Sequence, residues 1–483
     1  MLYGCNMPYS DSFPPQDTVT WRKQIESVEE TATYPDLTFT PRQYVLSDEQ
    51  VKQVHRATLE VLETTGIRVT HPEALEILHG SGASVDNERV RLPSWMVENA
   101  LSKAPSEIAL GNRRGETSVV LRDDLSWFGP TLDCYDFLEP LTDLRRPFTS
   151  EDCRRTAILA DALPNFTWNM VIGVCSDVPP GLADRVIAKQ ALSYSEKPLV
   201  FCCGGLQALK DVYEMGILIT GSEERLLAAP NIISFHSPIS PLMHDYQFVD
   251  KLLFTARKGL PQVCYSGPQA GSTAPVTTAG TLIQGSAESL SGIVLGQLVR
   301  PGAPFIYGAF TTIMDMVTTV FSYGAPEMNL MAAAMAQMAH FYKLPFYGMS
   351  GCSDAKLAHD PQAAVEATFS CLSAALSGAN MVHDNGWLDH STVVSPAYMV
   401  LVNEVLDMVN HYMRGIPINP ESMALEVMDS VGPAGHYLLE EHTMKHFREI
   451  WYSKLFDRSG KADWLAQGAK GLEDRLRERT QKL

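Results

Sequence analysis

GANMVHDNGWLDH, residues 378–390, opens as an apolar run and closes in two imidazoles, two carboxylates, an amide and an indole. A strand covered on both faces reads as an unbroken hydrophobic run rather than an alternating one. Polar and glycine residues directly after such a run mark where the strand gives way to a loop. ANMVHD, 379–384, is the last of a series. Upstream stand LSWFG (125–129), WNMVIGV (168–174), PLVFCCG (198–204), NIISFH (231–236), PQVCYS (261–266), PFIYGA (304–309) and PFYGMS (345–350). Each precedes a turn and a helical pattern, and successive runs begin 30 to 43 residues apart, the length of a βα unit. Pro198, Pro230, Pro261, Pro304 and Pro345 stand at or just before five of the starts, a helix-stop and strand-start signal.

Eight such units predict a closed (β/α)8 barrel of the TIM type rather than an open α/β sheet. An open doubly wound sheet would carry a Gly-rich phosphate turn after its first strand, and no GxGxxG or GxxxxGK[ST] follows any of the runs.

Around this barrel, expected over residues 123–396, three other regions are read. Residues 1–45, rich in Pro, Ser, Thr and Tyr, form an irregular N-terminal arm. Residues 46–122 form a small α+β region. Its first helix is LSDEQVKQVHRATLEVLETTG, capped by Ser47, with Val51, Val54, Leu59 and Leu62 at helical spacing and Gly66 as the stop. A second helix follows over 71–80, then the strand-like pieces VRLP, EIALG and SVVL. Residues 397–483 are a C-terminal helical extension packed on the barrel, with Met399, Val402, Val405, Leu406 and Val409 on one face.

Composition narrows the function. The chain has 483 residues, 45% hydrophobic and 19% charged, and so can bury a large core. Its formal charge is −18, and the basic residues gather in no stripe, which excludes nucleic acid as a natural partner. Nine cysteines, without CxxC spacing or a Cys/His cluster, read as reduced thiols and not as a disulfide framework or zinc site. The N-terminus MLYGCNMPYSDSFPPQ lacks a basic segment followed by an apolar one, and no membrane-length apolar run occurs. A cytoplasmic protein is expected, without membrane contact.

The chemistry of such a barrel gathers at the C-terminal ends of its strands. Those ends are rich in aromatic residues and acids, and nearly devoid of Lys and Arg; the candidates include His236, Tyr265, Tyr307, Phe310, Asp315, Tyr323, Glu327, Tyr347, His383, Asp384 and Trp387. A phosphate-handling barrel would need the reverse. Ring faces and carboxylates suit a cation, above all a quaternary ammonium, each ring contributing about 0.5–2 kcal/mol when desolvated. His236, Asp354 and His383 leave a metal site open as an alternative. No Ser-His-Asp order or GxSxG elbow is present.

Several linked blocks resemble the trimethylamine methyltransferase family: PVTTAGTLIQGSAESLSGIVLGQLVRPGAPFIYG, MDM, SYGAPEMNLMAAAMAQMAHFYKLPFYG, the SGAN before HDNGWLDH, and GPAGHYLLEEHTMKHFREIW. The resemblance runs from about residue 40 to the end. It implies a (β/α)8 barrel that passes a methyl group from a methylated amine to cob(I)alamin presented by a separate corrinoid protein, with no cofactor bound tightly by this chain. The founding branch carries pyrrolysine in the barrel mouth. This chain has standard residues only, so the resemblance implies the non-pyrrolysine branch, which acts on quaternary amines such as glycine betaine. The pyrrolysine position is expected to correspond to the loop from Asp315 to Tyr323.

On that footing Tyr307, Tyr323, Tyr347 and Trp387 are expected to face the ammonium, with Tyr265 and Phe310 completing the wall. Asp315, Asp384 or Glu327 balances its charge. His236 and His383 donate to a substrate carboxylate, and the catalytic set is Asp315, Glu327 and His383. No metal is expected. Homo-oligomerisation is expected. The competing readings are a metal-dependent lyase or hydrolase on the same barrel and a methylamine-binding protein without turnover.

Overall fold

In the computed structural model, residues 38–122 and 125–483 are described. The arm expected over residues 1–45 lies outside them as far as residue 37. The described residues fall into two compact units, 41–413 with 451–483, and 38–40 with 414–450.

All eight apolar runs become strands of one parallel sheet. They are β1 (Trp127–Pro130), β2 (Asn169–Met170), β3 (Leu199–Phe201), β4 (Ile232–His236), β5 (Gln262–Ser266), β6 (Phe305–Ala309), β7 (Phe346–Met349) and β8 (Met381–Asn385). Each pairs with its neighbour in sequence, and β8 pairs in parallel with β1 through Met381 opposite Trp127 and Val382 opposite Phe128. The remaining seam, β1 to β2, is closed by a parallel bridge between Phe128 and Phe166, with the Thr167 amide donating to the Phe128 carbonyl at 2.8 Å. The ring is the expected (β/α)8 barrel.

The prolines at the strand starts do more than end helices. Proline lacks an N–H but keeps its carbonyl, so at the first position of a strand it accepts without leaving a missing donor inside the ladder. The carbonyls of Pro198, Pro261, Pro304 and Pro345 accept from the amides of Asn169, Ser234, Gln262 and Tyr307 at 2.7, 3.0, 3.1 and 2.9 Å, each on the preceding strand. Four of these punctuation points therefore also set the register.

A helix follows each strand, from Ser150–Ala162 after β1 to Pro396–Tyr412 after β8, with a second short one, Glu223–Ala228, after β3. Those starting at Pro180, Pro326, Pro361 and Pro396 have proline in the first turn, where its fixed φ suits the helix and its missing N–H costs nothing. Met399, Val402, Val405, Leu406 and Val409 of the last are all buried, as their spacing predicts. Thus the strand–helix alternation runs on to Tyr412, past the limit expected at residue 396. Beyond it, helix Leu472–Lys482 packs against Pro396–Tyr412, while 414–450 holds only short helices, among them Leu425–Val431 and Glu441–His446.

Helices and short strands precede the barrel. Ser47 caps helix Asp48–Glu60 in a capping box with Gln50, and Gly66 ends the following turn at φ +73°. Strand Ile67–Val69 then pairs in parallel with Met243–His244, in the loop after β4, so this small sheet is tied to the barrel.

Candidate active site at the barrel mouth

The geometry of the site starts from an irregularity in β8. Strict alternation would send His383 and Asp384 to opposite faces. The register between β8 and β1 shifts between Val382 and Asn385, and Asp384 sits at φ +73°. This β-bulge, with its extra residue in the left-handed region, turns Asp384 back toward the mouth alongside His383. The following Asn385 holds the bulge in place. Its Nδ2 donates to the Gly129 carbonyl at 2.6 Å and its Oδ1 accepts from the Ser350 hydroxyl at 3.1 Å, so it ties β8 to the strands on either side.

Both His383 and Asp384 are buried, and the His383 Nδ1 abuts an Asp384 carboxylate oxygen without hydrogen-bonding geometry. Neither oxygen of Asp384 and neither ring nitrogen of His383 has a hydrogen-bond partner in the chain. Burial pushes the Asp384 carboxyl up, with His383 partly opposing it. A buried acid offset by a single imidazole is costly, and such groups concentrate where a ligand is to be met.

Aromatic rings surround this pair. Tyr347 stacks on His383 at 4.6 Å, and Tyr265 meets His383 edge-on at 5.0 Å and Tyr347 at 5.3 Å. Phe235 closes one side, 5.5 Å from Tyr265 and 5.7 Å from Tyr347. Tyr323 lies against Trp387 at 5.3 Å and stacks with Phe310 at 5.0 Å. The Asp384 charge acts on the hydroxyls of Tyr265, Tyr323 and Tyr347, each held well above the ordinary phenol range, chiefly by burial. Those hydroxyls stay neutral. The Tyr265 hydroxyl, too, has no partner in the chain. Gly308 leaves the room for this wall, because a Cβ there would stand 2.8 Å from the Tyr265 ring. Trp387 is fixed by its indole N–H donating to the Cys134 sulfur.

Tyr323 reaches the mouth on a hairpin, Thr312–Met314 paired antiparallel with Phe321–Ser322. Asp354 anchors it, accepting from the amides of Tyr323 at 2.8 Å and Gly324 at 3.1 Å and from the Ser322 hydroxyl, with His390 Nδ1 3.0 Å away.

A second group of polar residues stands at the ends of β1 and β3. Asp133, just past the C-terminal end of β1, is exposed to solvent. Burial and the nearby Asp184 raise it to about 6, while the Cys202 thiol and the Lys251 ammonium partly oppose them. Lys251 comes from helix Tyr246–Lys258, and its Nζ donates to the Cys203 carbonyl at 2.6 Å. Sequence reasoning missed Asp133, Asp184, Cys202 and Lys251. Lys251 lies mid-helix, where spacing predicts only a barrel-flanking face. Asp133 sits past the first run with no turn signal to single it out.

Of the expected site residues, Tyr265, Phe310, Tyr323, Tyr347, His383, Asp384 and Trp387 come together. Four do not. Tyr307 points outward, its hydroxyl donating to the Ser286 hydroxyl at 2.8 Å and its ring against Tyr342. His236 also faces the helices, Nε2 3.3 Å from the Thr255 hydroxyl, and burial holds it well below the usual imidazole range. Asp315 is exposed and caps a turn, its Oδ1 accepting from the amides of Val317 at 2.7 Å and Thr318 at 3.2 Å. Glu327 opens helix Pro326–Tyr342 and lines a cavity of about 410 Å³ with Gln43, Val45 and Phe369. The trio of the metal alternative is likewise dispersed: His236 faces the helix layer, Asp354 anchors the hairpin, and His383 lies in the mouth. Asp143, His359 and Glu473 do cluster elsewhere among the described residues, but the Arg477 guanidinium already pairs with both acids of that trio.

Comparison with known proteins follows the same line. A family model described as trimethylamine methyltransferase (MTTB) matches residues 19–483. The trimethylamine methyltransferase MttB of Desulfitobacterium hafniense (strain DSM 10664 / DCB-2) is 34% identical over 434 residues, 89% of this chain and 87% of that protein. The glycine betaine methyltransferase of Desulfitobacterium hafniense (strain Y51) is 33% identical over 427 residues, 88% of this chain and 89% of its own. The solved structure of the Methanosarcina barkeri monomethylamine methyltransferase (MtmB) shares the fold at a TM-score of 0.50 and 12% identity, over 90% of this chain and 88% of that one.

Proposed function

Since the chain belongs to the trimethylamine methyltransferase family, we propose that it moves a methyl group from a quaternary ammonium compound, of which glycine betaine is the first to test, to cob(I)alamin carried by a separate corrinoid protein. The observation that carries the reading is Asp384: a buried carboxyl whose close polar neighbour is His383, walled by Tyr265, Tyr323 and Tyr347. A quaternary ammonium has no N–H to donate. It is recognised by ring faces and a carboxylate at short range, and this mouth offers both.

The residues' part in the reaction follows. The cobalt supplies an electron pair that forms the Co–C bond, the C–N pair stays on nitrogen, and the amine leaves neutral. No acid is needed to protonate it. The tyrosines and Asp384 hold the cation with one methyl directed out of the open strand ends, and the buried setting strengthens that hold by excluding water. As the methyl departs the positive charge leaves the nitrogen, so the product loses the attraction of Asp384 and is released. The proposal includes a cytoplasmic location, supported by the eight free cysteines among the described residues, which are in keeping with a reducing compartment.

The test combines purified protein, cob(I)alamin and a set of trimethylammonium compounds while the cobalt absorption is followed. Methylcobalamin should accumulate with at least one compound. Its absence with every compound, even with a cognate corrinoid protein supplied, would falsify the proposal.

A further inference from the structure

Methyl transfer as described leaves Asp133 without a task, yet the chain places it with care. Its amide donates to the Val171 carbonyl at 3.1 Å, holding Asp133 at φ +51°, a conformation that side chains other than glycine's rarely adopt and that concentrates at functional sites. Asp133 is exposed to solvent, and it directly precedes Cys134, whose sulfur accepts from the Trp387 indole of the aromatic wall at 2.7 Å. Asp133 therefore adjoins the cage that holds Asp384. A quaternary nitrogen whose methyls fill that cage must send its fourth substituent elsewhere, and Asp133 is an exposed acid beside the Cys134–Trp387 contact at its edge.

The neighbouring charges do not reverse its sign. Lys251 is only 8% exposed and its ammonium is bound to the Cys203 carbonyl. Asp184 accepts from the Gly204 amide at 3.1 Å and adds a second negative charge. An arm ending in a carboxylate meets like charge here, whereas a hydroxyl arm finds an acceptor.

Resting on the reading of the site as a quaternary-amine pocket, we propose that Asp133 reads the fourth substituent of the amine, favouring an uncharged arm that donates a hydrogen bond over an arm that ends in a carboxylate. Full-length protein and the variants Asp133→Asn and Asp133→Glu are titrated calorimetrically with tetramethylammonium, choline and glycine betaine near pH 8. Choline should bind the wild type more tightly than glycine betaine. In Asp133→Asn the ratio of the two dissociation constants should move by about tenfold or more toward glycine betaine, and Asp133→Glu should restore the wild-type order. Ratios taken within one variant cancel any loss of folded protein. A wild type that prefers glycine betaine, or a ratio that Asp133→Asn leaves in place, overturns the inference while the quaternary-amine reading stands. If none of the three compounds binds the wild type, that reading fails and this inference with it.

Discussion

Asp384 shows how a single carboxyl can weaken a fold and equip a site. Burial raises it, so the folded chain holds its proton more tightly than the unfolded chain does. Its contribution to stability is full below the unfolded value and is lost as pH rises through the folded one. Asp384→Asn should accordingly melt higher than the wild type near pH 8, and the difference should shrink as the pH is lowered. The same variant should bind quaternary amines more weakly by about 2 kcal/mol or more, which titration calorimetry reads directly. A variant that neither gains stability nor loses affinity would remove Asp384 from the site. Tyr347 tests the wall in the same way. Replacing it by Leu keeps apolar bulk and removes the ring face, and should weaken binding of the cation by about 0.5–2 kcal/mol.

Two elements deliver these side chains. The β8 bulge brings His383 and Asp384 to the same side, and Asn385 fastens it to Gly129 and Ser350. Asn385→Ala leaves the buried Gly129 carbonyl without its donor and should cost about 1–3 kcal/mol in denaturant unfolding, with loss of methyl transfer because the bulge relaxes. The hairpin over 312–322 is the second element, and Asp354 is its anchor. Asp354→Ala orphans two amides and frees Tyr323, so KM for the amine should rise several-fold while kcat changes less, as expected of a residue that positions a binding group. Unchanged kinetics would mean that Tyr323 is held by its ring contacts alone.

At the scale of the molecule, the proposed transfer requires a corrinoid protein to approach the C-terminal ends of the strands. The tip of the same hairpin carries apolar residues into solvent, Met316 at 66% and Val317 at 92% exposure. An apolar tip beside the mouth suits contact with a protein that presents the methyl acceptor. Val317→Asp should slow methylation of a corrinoid protein while leaving transfer to free cob(I)alamin at its wild-type rate. Equal slowing of both reactions would place the defect in the pocket and not in docking.

Sequence alone determined the number and order of the strands, because burial on both faces makes a strand an unbroken apolar run and the helices between them impose a regular spacing. It determined also the chemical character of the mouth, since aromatic rings and acids crowd the ends of those runs while Lys and Arg do not. Which side chains face inward was decided only by the tertiary structure. A run apolar throughout carries no parity, so Tyr307 and Tyr347 look alike in sequence although one faces the helices and the other the cage. His236 was indistinguishable from His383 for the same reason. The bulge that turns Asp384 inward depends on pairing with β1, and the approach of Asp133, Cys202 and Lys251 depends on how β1, β3 and the helix after β4 converge. Such contacts join residues far apart in the chain and leave no local trace in hydropathy or spacing.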